Sequence, residues 1–169
     1  MKLKNLVQDA ADLLGLDAHK NSINRSILFR CANLVVSNIA CNYEDCITTQ
    51  TFIVSNGRID LNQFDKIFLK VKKICCGNQP VNYDLYIDFL SVPNGRITVV
   101  YAFIPKFKNE REEIIKITGK IDENILLYGI LAEYASISGL SEEFKNFNAK
   151  FENLLFANSQ TGKGRVLPV

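Results

Sequence analysis

The side chains with the most chemical potential are five cysteines, Cys31, Cys41, Cys46, Cys75 and Cys76, and a single histidine, His19. A structural zinc site needs thiolates or imidazoles in pairs two to four residues apart, with further ligands to close the tetrahedron. The adjacent Cys75-Cys76 and the four-residue gap of Cys41-Asn-Tyr-Glu-Asp-Cys46 do not supply that set, so no metal is expected. The cysteines read as reduced thiols used in packing, because a chain with an ordinary core has no need of a disulfide framework. His19 sits in the polar stretch Asp17-Ala-His-Lys-Asn-Ser22 and is expected to face solvent. No Gly-x-Ser-x-Gly elbow occurs, and no cysteine has a histidine near it in sequence, leaving only a pairing made in space. The expectation is a protein with no catalytic residues and no cofactor.

Two further patterns touch on phosphate chemistry. Thr161-Gly162-Lys163-Gly164 resembles part of a phosphate-binding loop. Such a loop also needs a glycine five positions before Gly162 and a hydroxyl after the lysine, and Ala157 and Gly164 stand there. It reads instead as a flexible basic tail. Lys66, Lys70, Lys72 and Lys73, with Phe68 among them, would suit a nucleic-acid surface, but lysines also keep a strand from pairing with foreign chains. A formal net charge of +2 argues against tight nucleic-acid binding.

The elements that must carry these residues follow from hydrophobic period. With 169 residues, 47% of them apolar, the chain is long enough for one domain with a real core. Its longest apolar runs, such as the eight residues from Ile125 to Ala132, are less than half the ~20 a membrane span needs. Asp9 and Asp12 interrupt anything resembling a signal peptide, and a cytosol-like compartment is expected. Residues 3–16 and 22–41 have helical spacing, with Gly15 as a stop and Ser22 or Asn21 as a cap. From Cys46 the period changes to that of strands. Asn56-Gly57 predicts one hairpin, and Pro93-Asn94-Gly95 predicts a second between the runs 83–89 and 96–104. Ile67, Leu69 and Val71 alternate with lysines and Phe68 as a half-buried strand. Since no helix separates the strands, the sheet should be antiparallel.

Residues 106–116 read as a solvated connection. The helix expected over 122–138 is apolar nearly all round; it calls for cover either from its own subunit or from a neighbouring one. The next helix, capped by Ser141, places Phe144, Phe147, Phe151, Leu154 and Leu155 in one stripe. The fold class is therefore α+β: two N-terminal helices, an antiparallel β-sheet of about five strands, a C-terminal helical hairpin and a flexible arm. Residues 1–158 form the single domain and 159–169 the arm.

Three stretches of this chain resemble the head-to-tail connector (adaptor) proteins of phages and prophages, of the tail tubular protein A kind. They are Arg30-Cys-Ala-Asn-Leu-Val-Val-Ser37, the run from Tyr128 to Glu143 with Phe147, Lys150-Phe151 and Leu154-Leu155 behind it, and Gly164-Arg165-Val166-Leu167-Pro168. The chain departs from that pattern in having no Trp. The resemblance implies a structural virion protein at the head-to-tail junction, present in the host cytoplasm during assembly. Copies would form a homo-oligomeric ring, a dodecamer by that likeness, between the portal protein and a downstream tail protein. Double-stranded genome DNA would pass through its lumen without sequence recognition, and no membrane is involved. The portal-docking arm would be Gly162, Lys163, Gly164, Arg165, Val166, Leu167 and Pro168. The competing expectation is a small cytosolic α+β enzyme or ligand-binding domain.

Overall fold

A computed structural model of the chain describes residues 3–17, 22–108 and 122–162, the last four through their backbone alone. The class is α+β with antiparallel sheets, helices at either end of the described chain, and strands between them. Ile39–Pro105 makes one compact unit, and the chain on either side, up to Asn38 and from Lys106, makes the other.

The helical unit begins with α1 (Leu3–Leu13), which buries Leu3, Leu6, Val7, Ala10 and Ala11 along one stripe. Gly15, at φ 64°, ends it, and the Leu16 N–H returns to the Ala11 carbonyl at 2.9 Å. Helix α2 (Ile23–Asn42) starts as expected from Ser22, whose Oγ accepts the Arg25 N–H at 3.1 Å. Its spacing marks Ile23, Ile27, Cys31, Leu34, Val35 and Ile39 as the apolar stripe, and the buried stripe is rotated from it. Leu28, Ala32 and Val36 join Cys31, Val35 and Ile39 inside, while Ile23 and Leu34 are exposed. Two helical stripes overlap in this apolar-rich sequence, and spacing alone does not choose between them.

Strands β1 (Cys46–Val54), β3 (Ile67–Cys76), β4 (Gln79–Pro80) and β7 (Gly95–Ile104) form one sheet in the order β1-β7-β3-β4; β2 (Arg58–Asp60), β5 (Asp84–Leu85) and β6 (Phe89–Ser91) form a second in the order β2-β6-β5. About five strands in one sheet thus become seven in two. The two predicted hairpins are corrected as well. β1 pairs along its whole length with β7, and β2 pairs with β6. The reason is that the two turn signals bind each other. The Gly57 N–H donates to Asn94 Oδ1 at 2.7 Å, and the Val92 N–H donates to the Gly57 carbonyl at 3.0 Å. One two-stranded ribbon therefore runs through both sheets and turns a corner at 55–57 and 92–94. The true tight turn lies at Ile87-Asp88, where the Tyr86 N–H meets the Phe89 carbonyl at 2.9 Å. Nothing in its composition advertises a turn.

Strand β3 breaks the expected alternation. Its register against β7 slips between Phe68 and Lys70 and again between Val71 and Lys73. Phe68 consequently joins Phe52, Phe64 and Tyr101 in an aromatic cluster with ring centroids 4.6–5.9 Å apart, rather than facing out with the lysines.

Candidate functional site

Two of the three stretches that carry the resemblance, residues 30–37 and the run from Tyr128, meet in the helical unit. Asp122 opens α3 (Glu123–Ile137) by accepting the Asn124 N–H at 3.1 Å, and Gly139, at φ 73°, closes it and hands over to α4 (Ser141–Gly162). At Gly129 the packing is closest. A Cβ built there would stand 2.7 Å from Val35 Cγ1 and 3.0 Å from Phe151 Cε2. Val35 belongs to the first resembling stretch, Gly129 to the second and Phe151 to the stripe that follows it. Helix α2 and the two consecutive helices α3 and α4 are thus locked at one point by the absence of a side chain. Around it α3 buries Ile125, Leu126, Ile130, Leu131, Ala132, Tyr134 and Ala135, so its apolar circumference is largely covered within its own chain. Along α4, Phe151 and Leu155 are buried, Phe144, Phe147 and Leu154 half-buried, and Phe156 is exposed. Lys150 lies over the Tyr128 ring, 5.1 Å from its centroid, tying the two helices at their rim.

Asn33, also in the first resembling stretch, fixes the chain where it re-enters the helical unit. Its Oδ1 accepts the Phe107 N–H at 2.7 Å, and its Nδ2 donates to the Phe107 carbonyl at 3.4 Å. Both backbone groups of one residue are satisfied by one side-chain amide.

The titratable groups give little purchase for chemistry. Burial, with the Glu133 charge added to it, pushes the Cys31 thiol up to about 11. Burial and the neighbouring Asp45 and Glu44 push Cys46 up to about 11 as well. Both are thiols at neutral pH, and a thiol is neither a strong nucleophile nor a zinc ligand. Burial likewise lifts the half-buried Glu133 above its ordinary range. Asp45 moves the other way: partial burial opposes ionisation, but Lys70 and Lys72 both hydrogen-bond its carboxylate and hold it below the ordinary range. Lys70 and Lys72 stand two residues apart on β3, the spacing that puts both on one face of a strand, and both reach the same acid. Half of the basic row thereby has an internal partner, which weakens its reading as a nucleic-acid surface. Among the described residues no three His, Cys, Asp or Glu side chains gather as a metal site.

No protein-family model matches this chain, and no curated protein does.

Of the expected docking arm, Gly162 is the last residue of α4, whose backbone continues helical through 159–162. Lys163, Gly164, Arg165, Val166, Leu167 and Pro168 lie outside the described residues, as does His19. Sequence reasoning missed Asn33, Asp45 and Gly129 because each acts through a partner remote in the chain. It also missed the tip at Ile87-Asp88. There Tyr83, Leu85 and Tyr86 are exposed and Ile87 wholly so, while Tyr86 stacks on Phe89 at 4.5 Å and Arg58 lies 4.0 Å from the Phe89 ring centroid. Among the described residues no helix is long and apolar enough to cross a membrane.

Proposed function

We propose that this chain is a non-catalytic head-to-tail connector subunit, assembling as a ring between a portal and a tail protein with double-stranded DNA passing through. The observation that carries this reading is the convergence at Gly129. Residues resembling connectors in two separate stretches, the one around Val35 and the one from Tyr128 through Phe151, pack into one helical unit instead of scattering over the surface. A second support is the course of α4, which delivers the chain to Gly162 as a continuous helix, so that the basic and apolar run 163–168 follows directly from a rigid element. The protonated state of Cys31 and Cys46 fits a role in packing rather than catalysis.

The test is light scattering of the purified protein with and without a portal ring from the same phage or prophage. A stoichiometric rise in mass on mixing is expected. No association across a salt series, together with turnover in a substrate panel, would favour the enzyme reading.

A further inference from the structure

β1 differs from every other strand edge among the described residues. At the opposite border of its sheet, the two-residue β4, one residue of it Pro80, covers only Cys75 and Cys76 of β3, and the rest of the β3 edge carries Lys70, Lys72 and Lys73 and two register slips; in the second sheet the borders are β2, with Arg58 and Asp60, and the two-residue β5, with Asp84. Short length, proline and charge are the usual guards against edge-to-edge pairing. β1 has none of them. Its nine residues, Cys-Ile-Thr-Thr-Gln-Thr-Phe-Ile-Val, include no charge and no proline, its pairing with β7 is free of bulges, and β7 is its sole strand partner among the described residues. Ile47, Thr49, Thr51 and Ile53 alternate to one face and are exposed, Ile53 at 91%.

The order of residues on this edge says what it fits. Around Gln50 the strand is nearly a palindrome: Thr49 mirrors Thr51, Ile47 mirrors Ile53, and Cys46 mirrors Val54. An antiparallel partner that is the same strand, related by a two-fold axis at Gln50, sets isoleucine opposite isoleucine and threonine opposite threonine on the open face. These β-branched pairs are among the favourable cross-strand contacts. Beyond the strand, Asp45 would oppose Ser55 and Glu44 would oppose Asn56, so no like charges meet. The Gln50 side chain is already held on the other face, by the Gln63 carbonyl at 3.0 Å and the Asp65 N–H at 2.9 Å, and need not move.

We propose that β1 docks on β1 of a second copy of this chain, in the register centred on Gln50, joining two four-stranded sheets into one. The contact is isologous: it closes on itself and cannot propagate around a ring of identically oriented copies. It therefore defines a two-copy state of the free protein and does not depend on the connector reading.

Sedimentation equilibrium of the free protein tests it, with charge variants at the two exposed isoleucines. The wild type should reach about twice the 19.1 kDa monomer mass at high concentration. In Ile47→Lys/Ile53→Lys each new ammonium faces another across the axis, and dimerisation should weaken about tenfold or more. In Ile47→Lys/Ile53→Glu each lysine faces a carboxylate, and association should return. An independent measurement fixes the register: an equimolar mixture of Thr49→Cys and Thr51→Cys chains should form a mapped 49–51 disulfide between copies, which neither variant forms alone. A monomeric wild type, a Lys/Lys variant that stays dimeric, a Lys/Glu variant as weak as Lys/Lys, or disulfides in another register would each overturn the proposal.

Discussion

Among the described residues of the helical unit Glu133 is the one acid that is not exposed, and burial makes its charged form unfavourable there. A carboxyl whose folded pKa is raised binds its proton more tightly in the native state, so stability falls as pH rises from the unfolded value through the folded one. Glu133→Gln, which keeps the shape and removes the charge, should therefore be more stable than wild type at pH 7. The two should converge below the ordinary carboxylate range of about 4. Thermal melts at both pH values check this, and a Gln variant less stable at pH 7 would show that Glu133 has a compensating partner. Gly129 works on the same small scale with the opposite sign. Alanine there gains helix propensity of up to about 1 kcal/mol but collides with the stiff Val35, and overpacking costs about 1–3 kcal/mol. The net expectation for Gly129→Ala is a loss near 1 kcal/mol, seen as a Tm lower by about 2–4 °C. Neither residue announces itself in the sequence: a glycine inside an apolar helix and a lone glutamate acquire meaning only from what packs against them.

At the scale of elements, the corner of the β-ribbon is where local chemistry and long-range pairing combine. Gly57 has φ 69°, a conformation a β-branched residue resists, although the space around its Cβ position is open with Val92 O at 3.5 Å. Gly57→Val should cost about 1–2 kcal/mol through backbone strain alone, and Gly57→Asn should recover much of it. An unchanged melting temperature in the Val variant would mean the corner relaxes without loss. The class of each element was legible because period and turn chemistry are local: four helices, strands between them, the Ser22 cap and the Gly15 stop all follow from short windows. Which strand pairs with which was not. Asn56-Gly57 and Pro93-Asn94-Gly95 each suggest a hairpin in isolation, and their mutual hydrogen bonds, which span 37 residues, turn both into one corner. In β3 the register slip between Phe68 and Lys70 goes with Phe68 joining the aromatic cluster while Lys70 and Lys72 reach Asp45, a separation that strict alternation cannot express. The proposed docking arm, by contrast, rests on composition and likeness alone, since residues 163–168 have no periodic pattern to read.

For the whole molecule, the decisive question under the connector reading is how a short arm could hold an assembly. Glycine loses more backbone freedom on ordering than any other residue, so fixing a segment that contains Gly164 on a partner costs entropy and one arm alone should bind weakly. A ring changes the arithmetic. Once one arm is bound, each further arm meets its site at a high effective concentration, and the combined affinity can exceed that of a single arm by about 10²–10⁴. Lys163 and Arg165 are suited to acidic groups on the portal, and Val166, Leu167 and Pro168 to an apolar cleft between its subunits. Since α4 continues to Gly162, the informative truncation is after that residue, which spares the helix and the Gly129 contact. Deleting 163–169 should leave the melting temperature of the free protein within a degree or two, because the buried side chains of the helical unit among the described residues precede the cut. It should also abolish capture by a portal ring in a pull-down. Because multivalent binding is steep in the affinity of each arm, Arg165→Ala should reduce capture far more for assembled rings than its effect on a single-arm peptide would suggest. If the truncated chain bound the portal as well as the intact one, docking would have to reside elsewhere on the surface, and the arm would lose its place in the mechanism.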